Sequence, residues 1–278
     1  MSVATIELST PAGPVGIPAL GFGVWQVPDD EAERSVAEAL RVGYRHLDTA
    51  KLYDNEAGVG RALAAADVDR ADVFVTTKVW PTEFGHDDVL ASARGSAQRL
   101  GIETIDLLLL HWPAPGRDRY VEAYRGLMAL RASGAVRAIG VSNFAPEHLS
   151  RVHEETGEWP ALNQVELHPY LQQRELREFH AERGIVTEAW SPLASGQRVF
   201  ADPVIAEIAE RRGCTAAQAV IAWHLAVGNV VIPKSVTPSR IAENFGAPGV
   251  SLDDGDLAAI AGLDDDFRTG PDPLRFNG

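Results

Sequence analysis

The sequence predicts an α/β fold, a single (β/α)8 barrel of the TIM type over residues 1–278, and three observations carry that expectation. Short apolar runs alternate with amphipathic segments eight times along the chain. The eight units occupy roughly 250 residues, the ordinary size of such a barrel, and no linker or shift in composition divides them. No dinucleotide fingerprint opens a helix: "GFGVWQ" begins like G-x-G-x-x-G but lacks the third glycine, which disfavours a doubly wound sheet.

The elements follow in order. An N-terminal β-hairpin precedes the first barrel strand. The strands are read at 19–25 (ALGFGVW), 44–48 (YRHLD), 72–80 (DVFVTTKVW) and 104–112 (TIDLLLLHW). Four more lie at 136–143 (VRAIGVSN), 161–167 (ALNQVEL), 185–190 (IVTEAW) and 229–233 (NVVIP). Between them run helical patterns such as DDEAERSVAEALRVG and ADPVIAEIAERRG, each closed by a glycine suited to a C-cap. The tail DDDFRTGPDPLRFNG lies beyond the last helix and is read as a loop across the barrel mouth.

Composition narrows the function classes. Hydrophobic content of 45% and charged content of 23% are those of a globular protein. A net charge of −14 opposes a nucleic-acid or anionic-membrane partner. One cysteine, Cys214, rules out an internal disulfide and a cysteine metal cluster. The opening MSVATIELST has neither a basic flank nor an apolar run, and no apolar stretch is long enough to span a bilayer. A cytoplasmic monomer acting on a small molecule is expected.

Chemistry in such barrels sits at the C-terminal ends of the strands. Those ends carry Asp48 with Tyr53 just beyond, then Lys78, then His111. Side chains two apart in a strand share a face, so Lys78 tops a column with Phe74 and Thr76, and His111 one with Leu107 and Leu109. Asp48 likewise follows Tyr44 and His46. Lys78 stands out because only Lys51, Lys78 and Lys234 among 25 basic residues are lysine. A buried ammonium needs a counter-charge, which Asp48 on the next strand supplies. The compact ammonium beside Tyr53 is expected to lower the phenol's pKa and make it a proton donor.

These residues lie in segments that resemble the aldo-keto reductases. The segments are GYRHLDTAKLYDNE (43–56), VTTKVW (75–80), LLLLHWP (107–113), IGVSNF (139–144), LNQVELHP (162–169) and VIPKS (231–235). They occur in the family's order over nearly the whole chain. The resemblance implies a catalytic set of Asp48, Tyr53, Lys78 and His111, with Tyr53 as general acid and His111 directing the carbonyl oxygen. It implies NADPH laid across the barrel mouth without a Rossmann domain. The short length and GPDP tail are most similar to the bacterial branch that includes 2,5-diketo-D-gluconate reductases.

Trp190 offers an aromatic face for the nicotinamide, and the small-residue loop SPLASGQ (191–197), with Ser191, Leu193 and Gly196, allows close approach of a pyrophosphate. Lys234 and Arg240 flank Thr237-Pro238, read as an N-cap and a first helical proline, so two cations meet a helix N-terminus. By resemblance, Ser142, Asn143 and Gln164 bind the carboxamide, and Lys234, Ser235 and Arg240 bind the 2′-phosphate beside Val236. Glu243 and Asn244 take the adenine. Trp25, Trp80 and Trp112 at strand ends, with Asn55 and Phe276, are expected to form the substrate pocket, and Lys51 to face solvent.

Two rival readings remain. A metal-dependent barrel hydrolase would draw on His46, Asp48, His111 and His168, but the first strand offers Gly23 and Trp25 where such sites place histidines. No metal is expected, and His46 and His168 are read as structural. A non-catalytic NADPH-binding sensor is the other rival, and the intact Asp/Tyr/Lys/His set argues against it.

Overall fold

The computed structural model describes residues 3–278, apart from the side chain of residue 197. Met1 and Ser2, which open the stretch read above for an export signal, lie outside the described residues. The hairpin β1 (Thr5–Leu8) and β2 (Val15–Pro18) comes first. Eight parallel strands follow: β3 (Phe22–Gly23), β4 (His46–Asp48), β5 (Phe74–Val79), β6 (Ile105–Leu110), β7 (Val136–Ser142), β8 (Leu162–Glu166), β9 (Val186–Trp190) and β10 (Val230–Val231). They pair in sequence order from β3 to β10. The sheet closes on itself where Val231 N–H donates to the Ala19 carbonyl at 2.8 Å and Gly21 N–H to the Val231 carbonyl at 2.9 Å. The barrel is complete, as expected.

Alternation within β6 shows how the sequence builds the two layers. Leu107 and Leu109 pack with Phe74, Ala138, Leu162 and Val230 and with Leu8, Val15 and Ile17 of the hairpin. Leu108 and Leu110 join the larger cluster between sheet and helices. The hairpin thus plugs the bottom of the barrel, leaving the polar column tops at the other end. Registers of Asp48 with Thr76 and Lys78 with Leu109 bring those tops to adjoining levels.

Both named helices form where read. Asp29–Val42 ends at Gly43, whose φ of 126° few side chains tolerate. Pro203–Arg212 starts at Asp202, whose side chain accepts from the backbone of Val204 and Ile205, and ends at Gly213. The first strand is shorter than its apolar run, because only Phe22 and Gly23 have ladder partners on β4.

Candidate active site

A cleft of about 910 Å³ opens at the C-terminal ends of the strands. At its floor Lys78 is fully buried, and its ammonium uses all three donors: Asp48 Oδ1 at 2.6 Å, the Thr49 carbonyl at 2.9 Å and Tyr53 Oη at 3.3 Å. Burial alone would strip its proton, but Asp48 and Tyr53 outweigh that and hold the pKa above the ordinary lysine value. Three acceptors converging on one nitrogen suit a compact ammonium rather than the planar fork of an arginine.

Tyr53 departs from the expectation. Its pKa is pushed up to about 12, because burial of the phenol exceeds the opposing pull of Lys78, and the neighbouring Asp48 and Glu188 side chains add to the rise. The hydroxyl is therefore a protonated donor across the physiological range. His111 is held well below its usual pKa by burial and then by Lys78, so it stands neutral. Its ring meets Tyr53 edge to face at 5.6 Å and Trp80 at 5.1 Å.

Gln164 reaches across the barrel from β8, and its amide nitrogen donates to Asp48 Oδ2 at 2.7 Å and to Glu188 Oε2 at 2.8 Å. Asn143, at a φ of 65°, donates to the His111 carbonyl at 3.0 Å and accepts from the Trp190 indole N–H at 2.8 Å. Ser142 donates to the Gln164 carbonyl at 2.9 Å. Ser142, Asn143, Gln164 and Trp190 all line the cleft, followed by Ser191, Leu193 and Gly196 of the loop. Ser191, Ala194, Ser195 and Gly196 all have positive φ, a turn geometry that suits small residues.

The segment after β10 contributes Lys234, Ser235, Val236, Arg240, Glu243 and Asn244 to the same wall. Among the described residues neither Lys234 nor Arg240 enters an ion pair, although the chain carries an excess of acid. Two unpaired cations beside a cleft ending in polar donors fit a phosphorylated dinucleotide. Thr237 stands at the N-cap position, but its hydroxyl makes no cap bond; its backbone N–H instead donates to Ser235 Oγ at 3.2 Å.

Trp25, Trp80, Trp112 and Phe276 also line the cleft, with Phe276 packed against Trp112 at 4.6 Å and Trp80 at 6.1 Å. Asn55 does not join them. It is fully buried, with its amide donating to the Val24 and Val27 carbonyls and its oxygen accepting from Thr49, so it braces the loop after β3 instead. Lys51 keeps 37% of its side chain exposed to solvent and is ion-paired with Glu83. His46 and His168 are buried and hydrogen-bonded, and no group of three or more His, Cys, Asp or Glu among the described residues is arranged to hold a metal.

Several lining residues escaped the sequence reading. Gln26 comes from the loop after β3, Leu52 from the 3-10 turn Lys51–Tyr53 and Phe200 from the short helix Gln197–Ala201. Leu52 and Phe200 join Trp25 and Val236 as large apolar side chains exposed at the cleft, an uncovered patch of the kind that receives a ligand. The tail supplies Thr269, Gly270 and Pro271. Glu166, buried at the end of β8, accepts from the backbone N–H groups of Thr269 at 2.5 Å and Gly270 at 3.0 Å and so pins the tail over the mouth. A Cβ at Gly270 would sit 2.5 Å from the Trp190 ring.

A barrel with an ammonium-backed phenol at the floor of a dinucleotide-sized cleft is the architecture of a carbonyl oxidoreductase. The aldo/keto reductase family profile matches residues 15–265, and the chain belongs to that family. It is 52% identical to an aldo-keto reductase of Mycolicibacterium smegmatis over 94% of both chains. It is 49% identical to the methylglyoxal reductase DkgA of Escherichia coli over 94% of this chain and 95% of the other. A crystal structure of a Gox0644 mutant in complex with NADPH superposes with a TM-score of 0.93, at 47% identity, covering 98% of this chain and 99% of that one.

Proposed function

We propose that this protein is an NADPH-dependent reductase of aldehydes and ketones, with Tyr53 as the proton donor. The observation that carries the reading is the Lys78 ammonium, whose three donors are all engaged and one of which meets Tyr53 Oη at 3.3 Å. Bound in the cleft, NADPH supplies a hydride to the carbonyl carbon. Tyr53 gives its phenolic proton to the carbonyl oxygen as negative charge develops there, and Lys78 stabilises the phenolate left behind. Neutral His111 orients the same oxygen by donating a hydrogen bond. Lys234, Ser235 and Arg240 hold the 2′-phosphate, and Ser142, Asn143 and Gln164 hold the carboxamide.

Within that class the preferred substrates are neutral carbonyls, such as 2-oxoaldehydes, rather than diketo-sugar acids. The aromatic side chains grouped with Tyr53 and His111 are Trp80, Trp112 and Phe276. The nearest cation, Lys78, has no free donor for a substrate carboxylate. Desolvating an unpaired carboxylate there is costly. The similar Escherichia coli protein is named a methylglyoxal reductase, which supports 2-oxoaldehydes as substrates. We further read the protein as a cytoplasmic monomer. The test is loss of NADPH absorbance with methylglyoxal, an aromatic aldehyde and a diketo-sugar acid. No turnover with any of them refutes the reductase, and a higher kcat/KM for the acid refutes the preference.

A further inference from the structure

Glu188 lies on β9 directly opposite Gln164 in the strand register and two residues before Trp190. It is fully buried, and the catalytic mechanism above leaves it unused. The Gln164 amide has two protons, one donated to Asp48 Oδ2 and the other to Glu188 Oε2. A carboxylate oxygen only accepts from an amide N–H, so this pair of contacts fixes which way round the amide sits. Its carbonyl oxygen accepts nothing among the described residues and belongs to a side chain that lines the cleft.

The other Glu188 oxygen shows the protonation state of this carboxyl group. Oε1 is buried without a hydrogen-bond partner and lies 3.6 Å from His46 Nε2. His46 Nδ1 approaches the Pro18 carbonyl at 3.3 Å, and a carbonyl cannot donate, so Nδ1 carries the ring proton. His46 Nε2 is then a lone pair, accepting from Thr76 Oγ1 at 3.2 Å. An ionised Glu188 would set a second lone pair against it in a dry interior, whereas a proton on Oε1 removes the conflict. The titratable groups around Glu188 are His46 and Asp48 from β4, Lys78 from β5 and Tyr53 from the turn after β4. On its other flank, β10 places apolar Val230 in register. One ammonium thus faces Asp48 and a second carboxyl group, and charge balance is met when only Asp48 is ionised.

We propose that Glu188 is a positioning residue: as a neutral carboxylic acid it clamps the Gln164 amide together with Asp48, presenting the Gln164 carbonyl oxygen to the nicotinamide carboxamide. The inference rests on the reading of this cleft as an NADPH site. Burial, followed by the Asp48 charge, raises the Glu188 pKa to about 8, consistent with the neutral form.

The test compares Glu188→Ala and Glu188→Gln by titration with NADPH and with 2′,5′-ADP, which has the phosphates but no nicotinamide. In Glu188→Ala the Kd for NADPH rises about 10-fold, as for one lost hydrogen bond to a buried group, while that for 2′,5′-ADP stays within about two-fold. Glu188→Gln, a neutral isostere able to accept from Gln164, restores NADPH binding. Equal losses for both ligands mean a merely structural role and overturn the clamp, as does no loss at all. A Glu188→Gln variant as weak as the alanine variant overturns the neutral acid. So does an infrared difference spectrum, wild type against Glu188→Gln at neutral pH, that lacks a protonated-carboxyl stretch. Normal wild-type turnover with unaltered NADPH affinity in Glu188→Ala sinks the clamp alone, whereas a wild-type protein without turnover sinks the reading of the site.

Discussion

Replacing Lys78 by methionine keeps the buried stem and deletes the ammonium. Asp48 Oδ1 then loses a partner at 2.6 Å and the Thr49 carbonyl one at 2.9 Å, with no water-filled space to replace them around a side chain that is 0% exposed. Removing one member of a buried ion pair costs about 3–5 kcal/mol, mostly for the charge left behind. In a chain of this size each kcal/mol lowers Tm by roughly 2–3 °C, so a fall of about 6–15 °C is expected. Adding Asp48→Asn removes the stranded charge, and the double variant regains about 2 kcal/mol relative to the sum of the two single changes. Thermal and urea melts of the four proteins complete the cycle. A Lys78→Met protein melting within about 2 °C of wild type, or two effects that simply add, refutes the claim that the ammonium is held by charge neutralisation.

Three further outcomes are expected. Tyr53→Phe abolishes reduction while NADPH affinity stays near wild type, because only the proton donor is removed; retention of most of kcat transfers the acid role elsewhere. Arg240→Ala raises Kd for NADPH by roughly 10- to 100-fold, as for a charge-assisted hydrogen bond of about 1.5–3 kcal/mol, and leaves NADH binding unaltered. Fluorescence titration reads both, and equal losses refute phosphate recognition. The raised pKa of Tyr53, about 12, keeps the phenol protonated through neutral pH, so reduction is flat there. Alcohol oxidation needs the phenolate and climbs about tenfold per pH unit from neutral to pH ~10; a plateau below pH ~9 in that direction would contradict the shift.

How much of this was legible in the sequence differs residue by residue. Alternation placed Lys78 above Thr76 and His111 above Leu109 because a strand repeats every two residues whatever surrounds it. The same rule sets Glu188 beneath Trp190, so the signal existed, but a lone glutamate in an apolar run reads equally well as a solvent-facing edge. Asn55 lies in a turn, where no period fixes direction, and the structure turns it inward to the loop after β3. For Tyr53 the neighbouring charge was readable, but the loss of water around the hydroxyl was not, since burial depends on the loops and tail that close the mouth. Glu166 is the same case: its partners Thr269 and Gly270 lie about a hundred residues further along the chain.

The scarcity of lysine has a practical side. Lys51 follows β4, Lys78 ends β5 and Lys234 follows β10, so every side-chain amine sits on one end of the barrel. Lys78 is sealed inside and Lys51 is tied to Glu83, which leaves the exposed Lys234 as the most available of the three. Lysine-directed proteases and reagents that couple to lysine side chains therefore converge on the rim of the cleft. Coupled in that way, the protein would be attached mouth-down, with its entrance against the matrix. The 22 arginines and the 39 acidic residues are spread along the whole chain, so arginine-directed or carboxyl-directed attachment would not favour that one orientation.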